Sequence, residues 1–217
     1  FHAWRNAGHA TKQHFVCFQG GYHGETVGAL GVTDVAIFRD AYAPLLRPAH
    51  FMPSPDQRLA LPGEDPQAPA RRALQALDDL LSHQAAEICA VVIEPLVQCA
   101  GGMAMHPPAY VQAVVSACRD AGLIIIADEV MTGFGRTGAL WASQLAGIRP
   151  DLLCLAKGLS GGILPLAATL ASEAIYARFL GPDLRSALLH GHSFTGNPIA
   201  CAAALDRANA PAISGSM

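Results

Sequence analysis

Apolar residues fall along the chain in two rhythms. Leu123–Ile126 is an unbroken apolar run, rich in β-branched residues, set between Gly122 and the polar stretch that begins at Asp128. A run of that length and make-up reads as a strand buried on both faces. His14–Phe18, Ile88–Ile93 and Asp151–Ala156 read the same way. Between them the period changes to that of a helix. Leu74, Leu77 and Leu81 share a face within Arg71–His83, and Val111, Val114, Val115 and Cys118 share one within Ala109–Ala121, where Gly122 suits the C-terminal cap. Shorter helical stretches are expected up to Val32, over Leu140–Ala146, from Ser172 as a cap to Phe179, and from Asn197-Pro198, an N-cap followed by proline. Phe38–Pro69, with seven prolines, reads as a surface excursion, and Val97–Met105 as a glycine-containing loop. Strands alternating with helices predict an α/β fold with a mainly parallel sheet and helices on both faces. Helical character fades after Leu205, so 1–205 reads as one unit and 206–217 as an irregular tail.

Two of these strands end in charge. Asp128 and Glu129 close one, and Lys157 closes another. In open α/β sheets the carboxyl ends of the strands are where ligands sit. Lysine usage sharpens the point. Only Lys12 and Lys157 of the 14 basic residues are lysine. Arginine stays protonated, whereas lysine can lose its proton and act as a nucleophile.

With 217 residues, 52% hydrophobic, the chain can bury one sizeable core. A net charge of −3 without a basic stripe argues against nucleic acid or an anionic membrane as a partner. No apolar run approaches the ~18 residues of a membrane span. Six cysteines without C-x-x-C spacing fit a reduced, cytoplasmic setting.

A lysine that forms a Schiff base implies pyridoxal phosphate as cofactor. That ring works as an electron sink when a carboxylate keeps its pyridine nitrogen protonated, a job for Asp128. Tyr22 or His23, at a strand-to-helix turn, could stack on the ring, and Ser193 and Thr195 precede a helix start suited to a phosphate. Each residue has a plainer reading. Lys157 could be a solvated strand-end lysine, Asp128-Glu129 a capping or metal-binding pair, and Tyr22 a half-buried core aromatic. His190 and His192 could suggest a metal, but no third ligand has matching spacing. Glu94 could simply end a strand, and Arg136 could tie its loop down by pairing with an acid such as Glu94. An apolar strand ending in two acids also suits a Mg²⁺-dependent nucleotide hydrolase, although no G-x-x-x-x-G-K-[ST] loop is present.

Five motifs in order resemble the class III pyridoxal-phosphate-dependent aminotransferases: Gly21-Tyr22-His23-Gly24, Ile93-Glu94-Pro95, Ile126–Val130 with Gly133–Gly138, Cys154–Gly158, and His190–Pro198. Within that family, Tyr22–Asp34, Pro53-Ser54-Pro55 and Glu94–Met103 are most similar to the branch that passes the amino group of S-adenosylmethionine to 8-amino-7-oxononanoate in biotin synthesis. They are less like the ornithine and acetylornithine branches. The resemblance implies the large domain of a fold-type-I transferase and a homodimer that shares its active sites. It gives Lys157 the covalent link to the cofactor and the proton shuttle. Asp128 takes the pyridine nitrogen, Tyr22 the ring and substrate, Val130 the ring's other face, and Gly191 the substrate. His192 and Ser193 take the phosphate of the partner's cofactor, and Glu129 receives no catalytic role. The family's Gly-Ser phosphate loop, N-terminal substrate residues and C-terminal small domain have no counterpart here, so this polypeptide by itself is expected to bind cofactor poorly and to show no turnover.

Overall fold

A computed structural model describes residues 1–209. In chain order the elements are α1 (His2–Asn6), β1 (His14–Phe18), α2 (Val27–Leu30), α3 (Ala36–Arg39), β2 (His50–Met52), α4 (Ala68–Gln84), β3 (Ile88–Ile93), β4 (Val97–Gln98), β5 (Ala104–Met105) and α5 (Pro108–Asp120). There follow β6 (Ile124–Asp128), α6 (Ala142–Leu145), β7 (Leu152–Leu155), β8 (Ala168–Ala171), α7 (Glu173–Tyr176) and α8 (Pro198–Asn209).

Six strands form one sheet in the order β2-β1-β3-β6-β7-β8. All neighbours are parallel except β8, which runs antiparallel at the edge beside β7. β3 is buried through its length, as its uninterrupted apolar sequence requires, and β6 is buried at every residue except half-buried Ile126. One face packs on α4 and α5, where Leu77, Val111, Val114 and Cys118 meet Val91 and Ile125 in the largest core. The other face is covered near α1 and α7 by Ala3, Trp4 and Ile175. The chain leaves β1 toward β2 on one side and later returns to β3 on the other. The sheet therefore changes direction between β1 and β3, which is where open α/β sheets leave a crevice.

Several elements differ from the sequence reading. The proline-rich excursion contributes β2, which pairs with β1 through Val16–Phe18. Three residues among prolines are too few to show a period. The glycine loop 97–105 contains the antiparallel pair β4-β5, with Leu96 and Met103 at positive φ (67° and 57°) turning the chain on either side. Ser172 opens α7, but its hydroxyl is buried without a partner rather than bonded as a side-chain cap. Asn197 behaves as read, its Oδ1 accepting the amides of Ile199 and Ala200 at 3.0 and 3.1 Å. Four residues of the expected irregular tail, 206–209, continue α8. Its apolar alanines carry the helix further than the change in composition suggested. Residues 210–217 lie outside the described residues.

Candidate active site

The carboxyl ends of β1, β3, β6 and β7 converge on a cavity of about 440 Å³. Tyr22, His23, Glu94, Asp128, Val130 and Lys157 all line it. It straddles the β1/β3 reversal, so the topology explains its position.

The turn after β1 is held through three backbone amides that donate to side chains. Gly20 N–H donates to Asp34 Oδ2 at 3.0 Å, Tyr22 N–H to Glu94 Oε1 at 3.0 Å, and His23 N–H to buried Thr33 Oγ1 at 2.9 Å. Tyr22 rests its ring against Phe38, with centroids 5.5 Å apart, and its hydroxyl donates to Glu25 at 2.7 Å. That bond, more than burial, raises the phenol above its ordinary value. His23 Nδ1 lies 2.8 Å from Asp128 Oδ2, and both side chains are nearly closed to solvent. Asp128 Oδ1 accepts the amide of Val130 at 3.0 Å.

Glu129 points the other way. It is wholly buried and accepts the amides of Ala142 and Ser143 at 2.6 and 2.9 Å and the Ser143 hydroxyl at 2.5 Å. The two acids therefore do not share a ligand site, and the arrangement a Mg²⁺-dependent hydrolase needs is not formed. Glu129 instead closes the loop 130–141 onto the start of α6. That loop reaches Lys157: a Cβ on Gly158 would come within 2.8 Å of Phe134 Cβ, so the residue after the lysine must be small. Lys157 has a left-handed backbone (φ 43°), and its exposed Nζ lies 3.0 Å from Met131 Sδ. It also borders a second cavity of about 960 Å³, shared with His192, Phe194 and Thr195. Lys12, the other lysine, is tied down instead. Its ammonium donates to the carbonyls of Ala85 and Ile88, both at 3.0 Å, and sits 4.8 Å from the Trp4 ring centroid.

The residues of this chain match the family model for class III aminotransferases over residues 1–210. The chain belongs to that family. Among curated relatives, the adenosylmethionine-8-amino-7-oxononanoate aminotransferase of Anoxybacillus flavithermus is 44% identical over 206 residues, covering 94% of this chain and 45% of its own length. That of Synechococcus elongatus is 45% identical over 194 residues, covering 89% and 45%. This class III chain thus spans about half the length of those relatives. Among solved structures, the Methanocaldococcus jannaschii enzyme of the same name superposes with a TM-score of 0.83 at 35% identity, covering 95% of this chain and 45% of the other. An amine transaminase from an uncultivated Pseudomonas species, in its PLP-bound form, gives 0.88 at 34%, covering 95% and 47%.

Of the residues singled out from sequence, Tyr22, His23, Asp128, Val130 and Lys157 meet in the first cavity. Gly191, His192 and Ser193 are exposed and lie outside it. Arg136 does not pair with Glu94. Its guanidinium donates to the Met131 carbonyl at 2.9 Å, within its own loop, while both Glu94 oxygens are taken by backbone amides. The His23–Asp128 pair and the sulfur-bearing part of the wall, Cys99, Met103 and Met131, were not read from sequence. For the pair the signal was present, since a histidine one residue past Tyr22 has to face some strand end. For Cys99 and Met103 there was none, because a turn of unknown shape hides which way its side chains point.

Proposed function

We propose that the protein carries out pyridoxal-phosphate-dependent transamination, moving the amino group of S-adenosylmethionine to 8-amino-7-oxononanoate to give 7,8-diaminononanoate for biotin. The observation that carries the reaction class is that an amine, a histidine-backed carboxylate and an aromatic ring line one cavity at the sheet's crevice. The cavity's donor set fits the cofactor. Asp128 offers a carboxylate for a protonated ring nitrogen, Tyr22 and Val130 offer a flat and an apolar surface, and Lys157 brings an amine with no carboxylate bonded to it among the described residues. Bound there, pyridoxal phosphate supplies the electron sink that stabilises a carbanion at the substrate.

The chain's own residues do the rest. His23 fixes the orientation of the Asp128 carboxyl, and the amide of Val130 holds its second oxygen. Lys157 Nζ, which borders the cavity, would take and return the substrate proton as general base and acid. Tyr22, braced by Phe38 and Glu25, limits the space above the ring. The substrate pair is supported by the names and 44–45% identities of the relatives above. Exposed Gly191, His192 and Ser193, with exposed Leu189, Phe194 and Ile199 around them, support a role at a homodimer contact, with Gly191 at the substrate and His192 and Ser193 toward the partner's cofactor phosphate. Six unpaired cysteines suit a reducing cytoplasm.

Adding pyridoxal phosphate and then borohydride to the full-length protein should fix the cofactor's absorbance to it, and Lys157→Ala should abolish this. Equal spectra for the two would sink the assignment. S-adenosylmethionine should outperform ornithine, acetylornithine, β-alanine and 4-aminobutyrate as donor. Preference for an ω-amino acid would move the protein toward the other class III branches, the direction to which the amine transaminase likeness points.

A further inference from the structure

Glu94 sits at the carboxyl end of β3, lines the cavity together with Lys157, and is 4% exposed. Its two oxygens go to two different segments. Oε1 accepts the Tyr22 amide at 3.0 Å, and Oε2 accepts the Cys99 amide at 3.1 Å. Tyr22 belongs to the turn after β1, and Cys99 opens the turn between β4 and β5. No ion pair involves Glu94 among the described residues.

We propose that Glu94 is a positioning residue: one carboxyl that ties the Tyr22 turn and the Cys99–Met103 wall to the same strand end and so sets the spacing between them. This rests on the reading that the cavity holds the cofactor. Two amide donors in different loops need two acceptors a fixed distance apart. A carboxylate supplies them on a single rigid group. An amide side chain offers one acceptor and turns an N–H₂ toward the other donor. Other ties hold each loop to a third segment, His23 Nδ1 to Asp128 at 2.8 Å and the Gly102 carbonyl to Arg58 at 3.0 Å, whereas Glu94 joins the two loops through one group. Gln98 Nε2 does bond the Gln19 carbonyl at 3.1 Å, but it leaves its own Oε1 buried without a partner. The wall turn also carries strain, with Met103 at φ 57°, so loss of a restraint there should show as movement.

Glu94 faces other ionisable groups. His23 from the β1 turn and Asp128 from β6 lie close enough to act on it, and Cys99 from the β4–β5 turn is bonded to it through its amide. Lys157 and Arg136 bear on the same Cys99 thiol from the opposite wall. Burial is the largest influence, and it raises the carboxyl above the ordinary range. Protonation converts one of the two acceptors to a hydroxyl, so the clamp should loosen in mild acid.

The test compares the full-length parent with its Glu94→Gln and Glu94→Asp variants. Amide hydrogen exchange on the cofactor-free protein reads the clamp directly. The Tyr22 and Cys99 amides should exchange at least ten-fold faster in Glu94→Gln while the β6 amides do not change. Pyridoxal phosphate titration should show roughly ten-fold weaker binding, and the visible circular dichroism of the bound cofactor should weaken. Glu94→Asp, one methylene shorter, should recover part of both. A core variant such as Leu77→Ala, which lowers stability without touching either loop, should leave the two amides and the affinity unchanged. In the parent, the protection of both amides, taken relative to the intrinsic exchange rate at each pH, should fall as pH drops into the range where the raised carboxyl takes its proton, and Glu94→Gln should remove that dependence. Unchanged exchange at both amides overturns the clamp. Faster exchange with unaltered cofactor affinity overturns its link to the site. If the parent itself binds no cofactor, the functional reading fails, while the exchange measurement still decides whether Glu94 holds the two loops.

Discussion

Asp128 and Glu129 are neighbours in sequence at the end of one strand, and they serve opposite regions of the molecule. Asp128 faces the cavity, where its partner is another cavity side chain, His23 at 2.8 Å. Glu129 faces the core layer around Ala142 and Ala146, where its partners are two amides and two hydroxyls, those of Thr132 and Ser143, that cannot leave. Alternation along the β backbone sends adjacent side chains to opposite sides. That single geometric fact separates a group available to a ligand from a group used up by the fold. Acid content alone would rank the two equally. What distinguishes them is whether the surrounding donors are already committed.

The largest effect should come from the committed acid. Glu129→Ala leaves two amides and two hydroxyls without this acceptor in a site closed to water. At about 1–3 kcal/mol for each unsatisfied buried donor, a loss of roughly 3–5 kcal/mol is expected. At about 2–4 °C per kcal/mol for a chain of this size, the melting temperature should fall by roughly 10 °C or more. Calorimetry of the variant reads this, and a change under ~2 °C would show that water or another donor set replaces the carboxylate.

A second effect tests whether the core side is also where acid acts. His106, before α5, is buried beside Tyr110, with ring centroids 6.0 Å apart, and its Nδ1 has no partner. Burial, opposed by nearby Asp56, holds the imidazole down at about 4, against an ordinary value near 6.5. The unfolded chain therefore binds a proton that the folded chain refuses. Stability is full above pH 6.5, declines as pH falls toward 4, and then levels off for this group. The total is roughly 3 kcal/mol at most. Denaturant midpoints measured across that window should fall in the parent and flatten in His106→Asn. Equal slopes in the two would move the acid sensitivity elsewhere.

Much of this arrangement was legible in sequence because it is short-range. Apolar runs ending in Asp128 and Lys157 mark strand ends, and strand ends in an α/β sheet mark the crevice. The scarcity of lysine points at Lys157, and the structure gives the other lysine its own task in holding Ala85 and Ile88. What stayed hidden depends on contacts between distant segments. Nothing in Ile93-Glu94-Pro95 says that its carboxylate reaches Tyr22 and Cys99, and pairing by charge alone directed it wrongly to Arg136. β2 escaped notice because pairing with β1, not its own three residues, makes it a strand.

The smallest effect on folding should belong to Asp128, and it is the most informative. Asn in its place keeps an oxygen for the Val130 amide and a polar group opposite His23, so the local bonds survive with altered donors. Stability should change by no more than about 1 kcal/mol, in the range of ordinary neutral hydrogen bonds. Cofactor binding should suffer far more, because a neutral amide cannot hold a protonated ring nitrogen as a carboxylate does. Loss of one charge-assisted hydrogen bond, about 1.5–3 kcal/mol, corresponds to roughly 10–100-fold in affinity. Melting curves and pyridoxal phosphate titrations on the same sample of the full-length Asp128→Asn variant read both quantities. A stability loss as large as that of Glu129→Ala, with affinity unchanged, would mean that the two acids are both structural and that the boundary between cavity and core does not run between them.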